Sequence, residues 1–188
     1  MNDRIKILGF AGSLRKGSYN KAILRTAKDM ASDGCEIEIF DLEGIPPYNQ
    51  DLDDHMPEKV REFKDKIRQS DAILIATPEY NYSIPGVLKN AIDWASRPPG
   101  DNSFAGKPVA VMSASIGMLG GARAQYHLRQ TFVYIDMYPV NKPEVMVPFA
   151  ADKIDDKGNV TDAKTREKIK ELVESLVAWT KRLRCQKL

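Results

Sequence analysis

"IKILGFAGSLRKGSYN", residues 5–20, runs from an apolar segment straight into a turn crowded with hydrogen-bond donors. Ile5–Phe10 has the content of a buried strand, and Tyr19, Ile23, Ala27 and Met30 then recur at helical spacing. Between them, Gly12–Asn20 carries two glycines, two serines, an arginine, a lysine and an asparagine, with almost nothing to bury. A strand that ends in such a turn and feeds a helix N-terminus aims free N–H groups and a positive dipole end at one spot. That combination is a phosphate site.

Working outward, four more apolar runs follow Ile5–Phe10: Glu36–Phe40, Ala72–Thr77, Val109–Ser113 and Glu144–Val147. Stretches of helical period lie between and after them: Val60, Phe63, Ile67; Val87, Leu88, Ala91, Ile92, Ala95; Ala124, Leu128, Phe132, Ile135; and Ile169, Leu172, Val173, Leu176, Val177, Leu183. The alternation predicts repeated βαβ units: an α/β, three-layer sandwich with a five-stranded parallel sheet covered on both faces. A first strand that feeds an anion loop points to the flavodoxin-like order 2-1-3-4-5, with a ligand beyond the carboxyl ends of strands 1 and 3. Loops fall at Glu43–Asp54, Arg97–Pro108 and Pro148–Asn159, and residues 1–188 read as one domain.

Lys+Arg 28 against Asp+Glu 26 leaves a net charge of +2 with the signs interspersed, which disfavours a nucleic-acid or polybasic membrane surface. No apolar run approaches a membrane span, and "MNDRIKILGF" lacks a signal-peptide core, so a soluble, cytoplasmic protein is expected. Cys35 and Cys185 have no metal or CxxC spacing and fit a reducing compartment. His55 and His127 are too few for a metal centre, and "DLDDH" (residues 51–55) reads as a solvated acidic loop, so no metal is expected. His127 reads as an interface or packing residue.

Several chemistries are excluded. Ser18 stands where a nucleotide P-loop requires lysine, and Gly9, Gly12 and Gly17 have the wrong spacing for GxGxxG. No GxSxG elbow follows a strand, and Gly9-Phe10-Ala11 offers no acidic residues for a phosphoacceptor receiver. What remains is a cradle of Ser13 and Ser18 hydroxyls, the Arg15 fork, the Asn20 amide and first-turn N–H groups. Ser18 also fits a plain N-cap. After the third run, Pro78-Glu79-Tyr80-Asn81-Tyr82 sets aromatic and amide groups at the mouth of the sheet, where a planar ring fits; packing explains Tyr82 equally well. After the fourth run, Gly117, Gly120 and Gly121 let backbone approach a flat ligand, or close a loop.

"GSLRKGSYN", "TPEYNYSIPGVLKNAIDWASR" and "SASIGMLGGARAQYHLRQ" together resemble the NADPH-dependent FMN reductase family, most of all its bacterial quinone and chromate reductase branch. The resemblance runs roughly from Ile5 to Val147. It implies a flavodoxin-like fold, noncovalent FMN, and reduction of quinones, azo compounds, metal oxyanions such as chromate, or free flavin by NADH or NADPH, with no catalytic side chain beyond the flavin's own chemistry. By position, Ser13, Arg15, Ser18 and Asn20 would hold the FMN phosphate, with Tyr19 among the cofactor contacts. Pro78, Glu79, Tyr80 and Asn81 would meet the isoalloxazine ring, and Ser115 and Gly117 its far side or the ribityl chain. The resemblance also implies homodimers that pair into homotetramers. Large residues around Gln125–Tyr138 agree, because an all-round apolar helix calls for a covering subunit. A flavodoxin-like one-electron carrier is the alternative function.

Overall fold

The computed structural model describes residues 4–185. Six strands, β1 (Ile5–Ala11), β2 (Cys35–Phe40), β3 (Ala72–Thr77), β4 (Pro108–Ala114), β5 (Tyr138–Pro139) and β6 (Val145–Val147), form one parallel sheet in the order β2-β1-β3-β4-β5. The fifth position is split. Both β5 and β6 pair with β4, β5 at its start through Pro108↔Tyr138 and β6 at its end through Ala114↔Val147. The expected order 2-1-3-4-5 is therefore present, with the short Tyr138–Pro139 piece added before the expected Glu144–Val147 run.

Period-two alternation assigns each strand residue to a face. Ile5, Ile7, Ala72, Leu74, Ala76, Ala110 and Met112 pack with α1 (Tyr19–Asp29) and α5 (Ala163–Cys185). Leu8, Phe10, Ile73, Ile75, Val109 and Val111 pack with α2 (Glu58–Gln69), α3 (Gly86–Ala95) and α4 (Ala122–Tyr134). The first face is lined by smaller residues, so α1 lies close: a Cβ on Gly9 would sit 2.9 Å from Leu24 Cδ1. The second face is branched and aromatic, and there Phe63 packs edge-on to Phe10 with ring centroids 5.2 Å apart.

Strand register sets the functional edge. Ala11 pairs with Ala76, and Thr77 with Ser113, so β1, β3 and β4 end side by side. The Gly12 N–H donates to Ala76 O at 2.9 Å and carries the ladder one residue past β1. The opposite edge is held by Lys64 of α2, which is 1% exposed; its ammonium donates to the backbone carbonyls of Arg97 and Asp101 and pairs with the Asp101 carboxylate at 2.9 Å.

Candidate functional site

The loop after β1 turns tightly. Ser18 N–H donates to Arg15 O at 3.2 Å, and Arg15 N–H to the buried Ser13 Oγ at 3.4 Å. Ser18 is the N-cap of α1: its side chain accepts from Lys21 N–H at 3.4 Å, and its carbonyl accepts from Ala22 N–H. The N–H groups of Tyr19 and Asn20 are then the first-turn donors that helix geometry leaves over, and no acidic residue stands in that turn. Arg15 and Lys16 are exposed and form no ion pair among the described residues; the Arg15 guanidinium lies 5.1 Å from the Tyr19 ring centroid. Cations without an ion pair, free N–H groups and hydroxyls are the donor set of a phosphate site.

Asn20 also has a structural role. Its Nδ2 donates to Ala114 O and its Oδ1 accepts from Ala114 N–H, both at 2.9 Å and fully buried. The amide ties α1 to the end of β4, and what Asn20 keeps for an anion is its backbone N–H and the second hydrogen of Nδ2.

The loop after β3 is a strained hairpin turn. Tyr80 and Ser83 exchange both backbone hydrogen bonds at 3.0 Å, and the two central residues, Asn81 (φ 49°) and Tyr82 (φ 67°), are left-handed. Such turns favour glycine, and each non-glycine residue there costs about 1–3 kcal/mol unless its surroundings over-determine it. They do here. The Arg123 guanidinium stacks on Tyr82 at 3.8 Å, and His127 Nδ1 lies 2.9 Å from Ser83 Oγ. Glu79 also differs from expectation: its carboxylate accepts from Arg123 Nη1 at 2.8 Å, Arg123 N–H at 3.0 Å and Ala124 N–H at 3.4 Å. Its side chain therefore caps α4, and the Tyr80 and Tyr82 rings stay exposed, Tyr82 with the Arg123 guanidinium stacked on it.

The loop after β4 carries Ser115 and Gly117. Ser115 N–H donates to Val147 O, Ser115 O accepts from Ala150 N–H, and Gly117 N–H donates to Ser115 Oγ at 3.1 Å. The glycines divide by role. A Cβ on Gly120 would meet backbone atoms of residues 146–148 at 2.9 Å and one on Gly121 would meet Ser113 Cβ at 2.7 Å, whereas one on Gly117 would meet only Ser115 Oγ, at 3.6 Å. Gly120 and Gly121 serve packing, whereas Gly117 borders open space. Beneath this loop, Gln125 Nε2 donates to Ser113 Oγ and Val145 O, while its buried Oε1 has no partner.

The loops that carry Ser13, Arg15, Ser18, Tyr19 and Asn20, then Pro78–Asn81, then Ser115 and Gly117 leave neighbouring strands at one carboxyl edge, a donor-rich turn beside the exposed Tyr80 and Tyr82 rings. That arrangement fits a flat cofactor with a terminal phosphate. The NADPH-dependent FMN reductase family model matches residues 5–152. The chain belongs to that family. Over 98% of its length it is 53% identical to the whole of an NAD(P)H-dependent FMN reductase of Pseudomonas aeruginosa. It is 44% identical to a quinone reductase of Escherichia coli, over 88% of this chain and 89% of that one. Among solved structures, the flavoenzyme NAD(P)H:(acceptor) oxidoreductase FerB of Paracoccus denitrificans superposes with a TM-score of 0.87 at 38% identity, covering 95% of this chain and 98% of that one.

Within this FMN reductase scaffold, Arg123 is the residue that sequence reasoning passed over. The signal was present: α4 opens on Gly121 with no side-chain cap and no acidic residue in its first turn, yet carries an arginine there, against the helix dipole. Such an end needs a carboxylate from elsewhere, and Glu79 supplies it. Among the described residues no group of three or more His, Cys, Asp and Glu side chains is arranged to hold a metal, and no helix is long and apolar enough to cross a membrane.

Proposed function

We propose that this protein, as one FMN-binding unit over residues 1–188, is an NAD(P)H-dependent oxidoreductase that reduces quinones and other oxidised small molecules, chromate, azo compounds and free flavin among them. The supporting observation is the pairing of a donor-rich turn, its cations free of ion pairs among the described residues, with exposed aromatic rings at one sheet edge. FMN, when bound, would supply the two-electron redox chemistry between nicotinamide and acceptor. The chain's share is binding and orientation. Arg15, the Ser13 and Ser18 hydroxyls and the Tyr19 and Asn20 N–H groups hold the phosphate, while the Tyr80–Ser83 turn and Gly117 set the plane against which the ring rests. A base–hydroxyl contact does lie beside the site, His127 Nδ1 to Ser83 Oγ at 2.9 Å, but it is exposed and no carboxylate orients the imidazole among the described residues, so it does not support covalent catalysis.

With no separate dinucleotide fingerprint in the chain, donor and acceptor take turns at one face, and a ping-pong rate law follows. We further read the protein as a cytoplasmic homodimer or homotetramer, the exposed side of α4 being the association surface. The deciding experiment is turnover of NADPH or NADH with a soluble quinone by the purified, FMN-loaded protein alone. Parallel double-reciprocal lines at several fixed quinone concentrations support the reading. Absence of turnover without a protein partner overturns it in favour of a one-electron carrier.

A further inference from the structure

Away from the flavin loops, an open cavity of about 410 Å³ lies between the segment Pro139–Lys142 and the outer face of α5. It sits beside the start of β4, where Pro139 pairs with Val109 and Val140 N–H donates to Val109 O at 2.8 Å. No residue assigned above to the cofactor lines it. Its volume falls within the range of sites for small organic ligands.

The lining divides into two parts. Pro139, Val140, Ala178 and the half-buried Trp179 ring supply apolar surface. The Trp179 indole N–H is already engaged, donating to Tyr138 O at 3.1 Å, so the ring is pinned and brings apolar area rather than a free donor to the cavity. Around it stand Asn141, Lys142, Ser175 and Arg182. Their side chains, and the N–H groups of Asn141 and Lys142, form no hydrogen bond or ion pair among the described residues; Arg182 makes only a loose contact, 5.8 Å from the Trp179 ring centroid. No carboxylate lines the cavity among the described residues. Glu171 and Glu174, the acidic residues next along α5, are paired with Lys168 and Lys170.

Two cations and several open donors against no carboxylate make the cavity anion-seeking. A bare inorganic anion would use that half alone and leave the indole and Val140 wet. A single negative charge on a flat apolar body matches both halves, because the ring covers apolar area while the cations meet the charge.

We propose that this cavity binds a small aromatic carboxylate, its ring against Trp179 and Val140 and its carboxylate between Lys142 and Arg182. The site is separate from the flavin chemistry and does not depend on the oxidoreductase reading.

Calorimetric titration of the FMN-loaded protein at low salt with 2-naphthoate, 2-naphthamide and acetate separates the two halves, since the amide keeps the rings without the charge and acetate keeps the charge without the rings. 2-Naphthoate is expected to bind at least about tenfold tighter than either. Lys142→Gln and Arg182→Gln each remove one cation from an exposed side chain that has no hydrogen bond to lose, so the fold should be indifferent. Each is expected to weaken 2-naphthoate about tenfold and 2-naphthamide less than about twofold. The flavin absorbance spectrum, followed through the same titration, is expected to stay unchanged, which distinguishes this cavity from stacking on the flavin. Equal affinities for 2-naphthoate and 2-naphthamide, acetate binding as tight as 2-naphthoate, a 2-naphthoate affinity indifferent to both substitutions, or a flavin spectrum that shifts in step with binding overturns the proposal. Nicotinamide turnover enters none of these measurements, so a failure of the oxidoreductase reading leaves the cavity to be decided on its own.

Discussion

Glu79 and Arg123, 44 residues apart, are joined through both the backbone and the side chain of the arginine, at 3.0 and 2.8 Å. One carboxylate thereby caps α4 and, through the Arg123 stack on Tyr82, secures the left-handed turn against which the ring is proposed to rest. Glu79→Ala removes the cap and leaves a guanidinium without its partner, so a loss of about 2 kcal/mol is expected in denaturant unfolding. Glu79→Gln keeps an acceptor and is expected to lose about half as much. Both variants should weaken riboflavin and FMN alike, since the damage falls on the ring side; fluorescence quenching with each flavin checks this.

Asn20 gives the opposite kind of expectation. Its amide satisfies both backbone groups of Ala114 in a fully buried setting, so Asn20→Ala strands a donor and an acceptor together. The expected cost is roughly 2–5 kcal/mol. Asn20→Asp keeps the acceptor for Ala114 N–H but sets a buried carboxylate oxygen against Ala114 O, and should lose at least as much as alanine. An Asn20→Ala variant as stable as wild type would show that this clamp contributes little.

These two residues also mark where the sequence stops being legible. The strands and their faces could be read because period-two apolar patterning is local: Ile73 and Ile75 against Leu74 and Ala76 already tell one face from the other. The position of the site was legible for the same reason, since strand order places the three loops. Side-chain roles within it were not. The partner of Asn20 lies 94 residues away and that of Glu79 lies 44 away, and a polar side chain in a loop looks the same whether it awaits a ligand or a distant backbone. Tyr138–Pro139 escaped because two residues, one a proline, carry no strand period. Lys64 was hidden too: its helix face is apolar, and the carbonyls that satisfy the ammonium come from a loop with no pattern of its own.

Acid should loosen the Lys64 anchor. Burial pushes the Asp101 carboxyl upward, but hydrogen bonds and charge from Lys64 and Arg68 outweigh it and hold the pKa below the ordinary value. A depressed native pKa means the native state binds fewer protons, so this contribution is complete above the unfolded value of about 3.9 and fades as pH falls through the native value. Wild type should lose more stability than Asp101→Asn over that acid range, and roughly equal losses above pH 5 are expected for both. Urea midpoints at stepped pH measure it; identical acid profiles would remove Asp101 from the account.

The outer side of α4 carries the association prediction. Val133 and Tyr134 are 83% and 84% exposed, and Tyr126 and Tyr138 are exposed near them, while Phe132 and Ile135 fill the core. Contiguous apolar exposure of this kind is a mark of an interface. Light scattering at micromolar concentration should report a dimer or tetramer, and Val133→Glu with Tyr134→Glu should shift it to monomer without lowering the unfolding midpoint. A wild-type monomer would be evidence against the α4 surface.

Arg15 tests the cradle itself. It is exposed, bonded to no carboxylate and stacked on Tyr19, so its removal leaves no buried group unsatisfied and the fold should be indifferent. Riboflavin has the ring of FMN without the phosphate, and so lacks every contact the cradle offers. Hydrogen bonds to a charged group contribute about 1.5–3 kcal/mol each, and two of them are worth on the order of a hundredfold in affinity. Arg15→Ala should therefore weaken FMN binding strongly and riboflavin binding little, so that the two dissociation constants converge. Lysine keeps the charge without the fork, and Arg15→Lys should lie between. If Arg15→Ala weakens both flavins equally, the loop does not read the phosphate, and "GSLRKGSYN" holds something else.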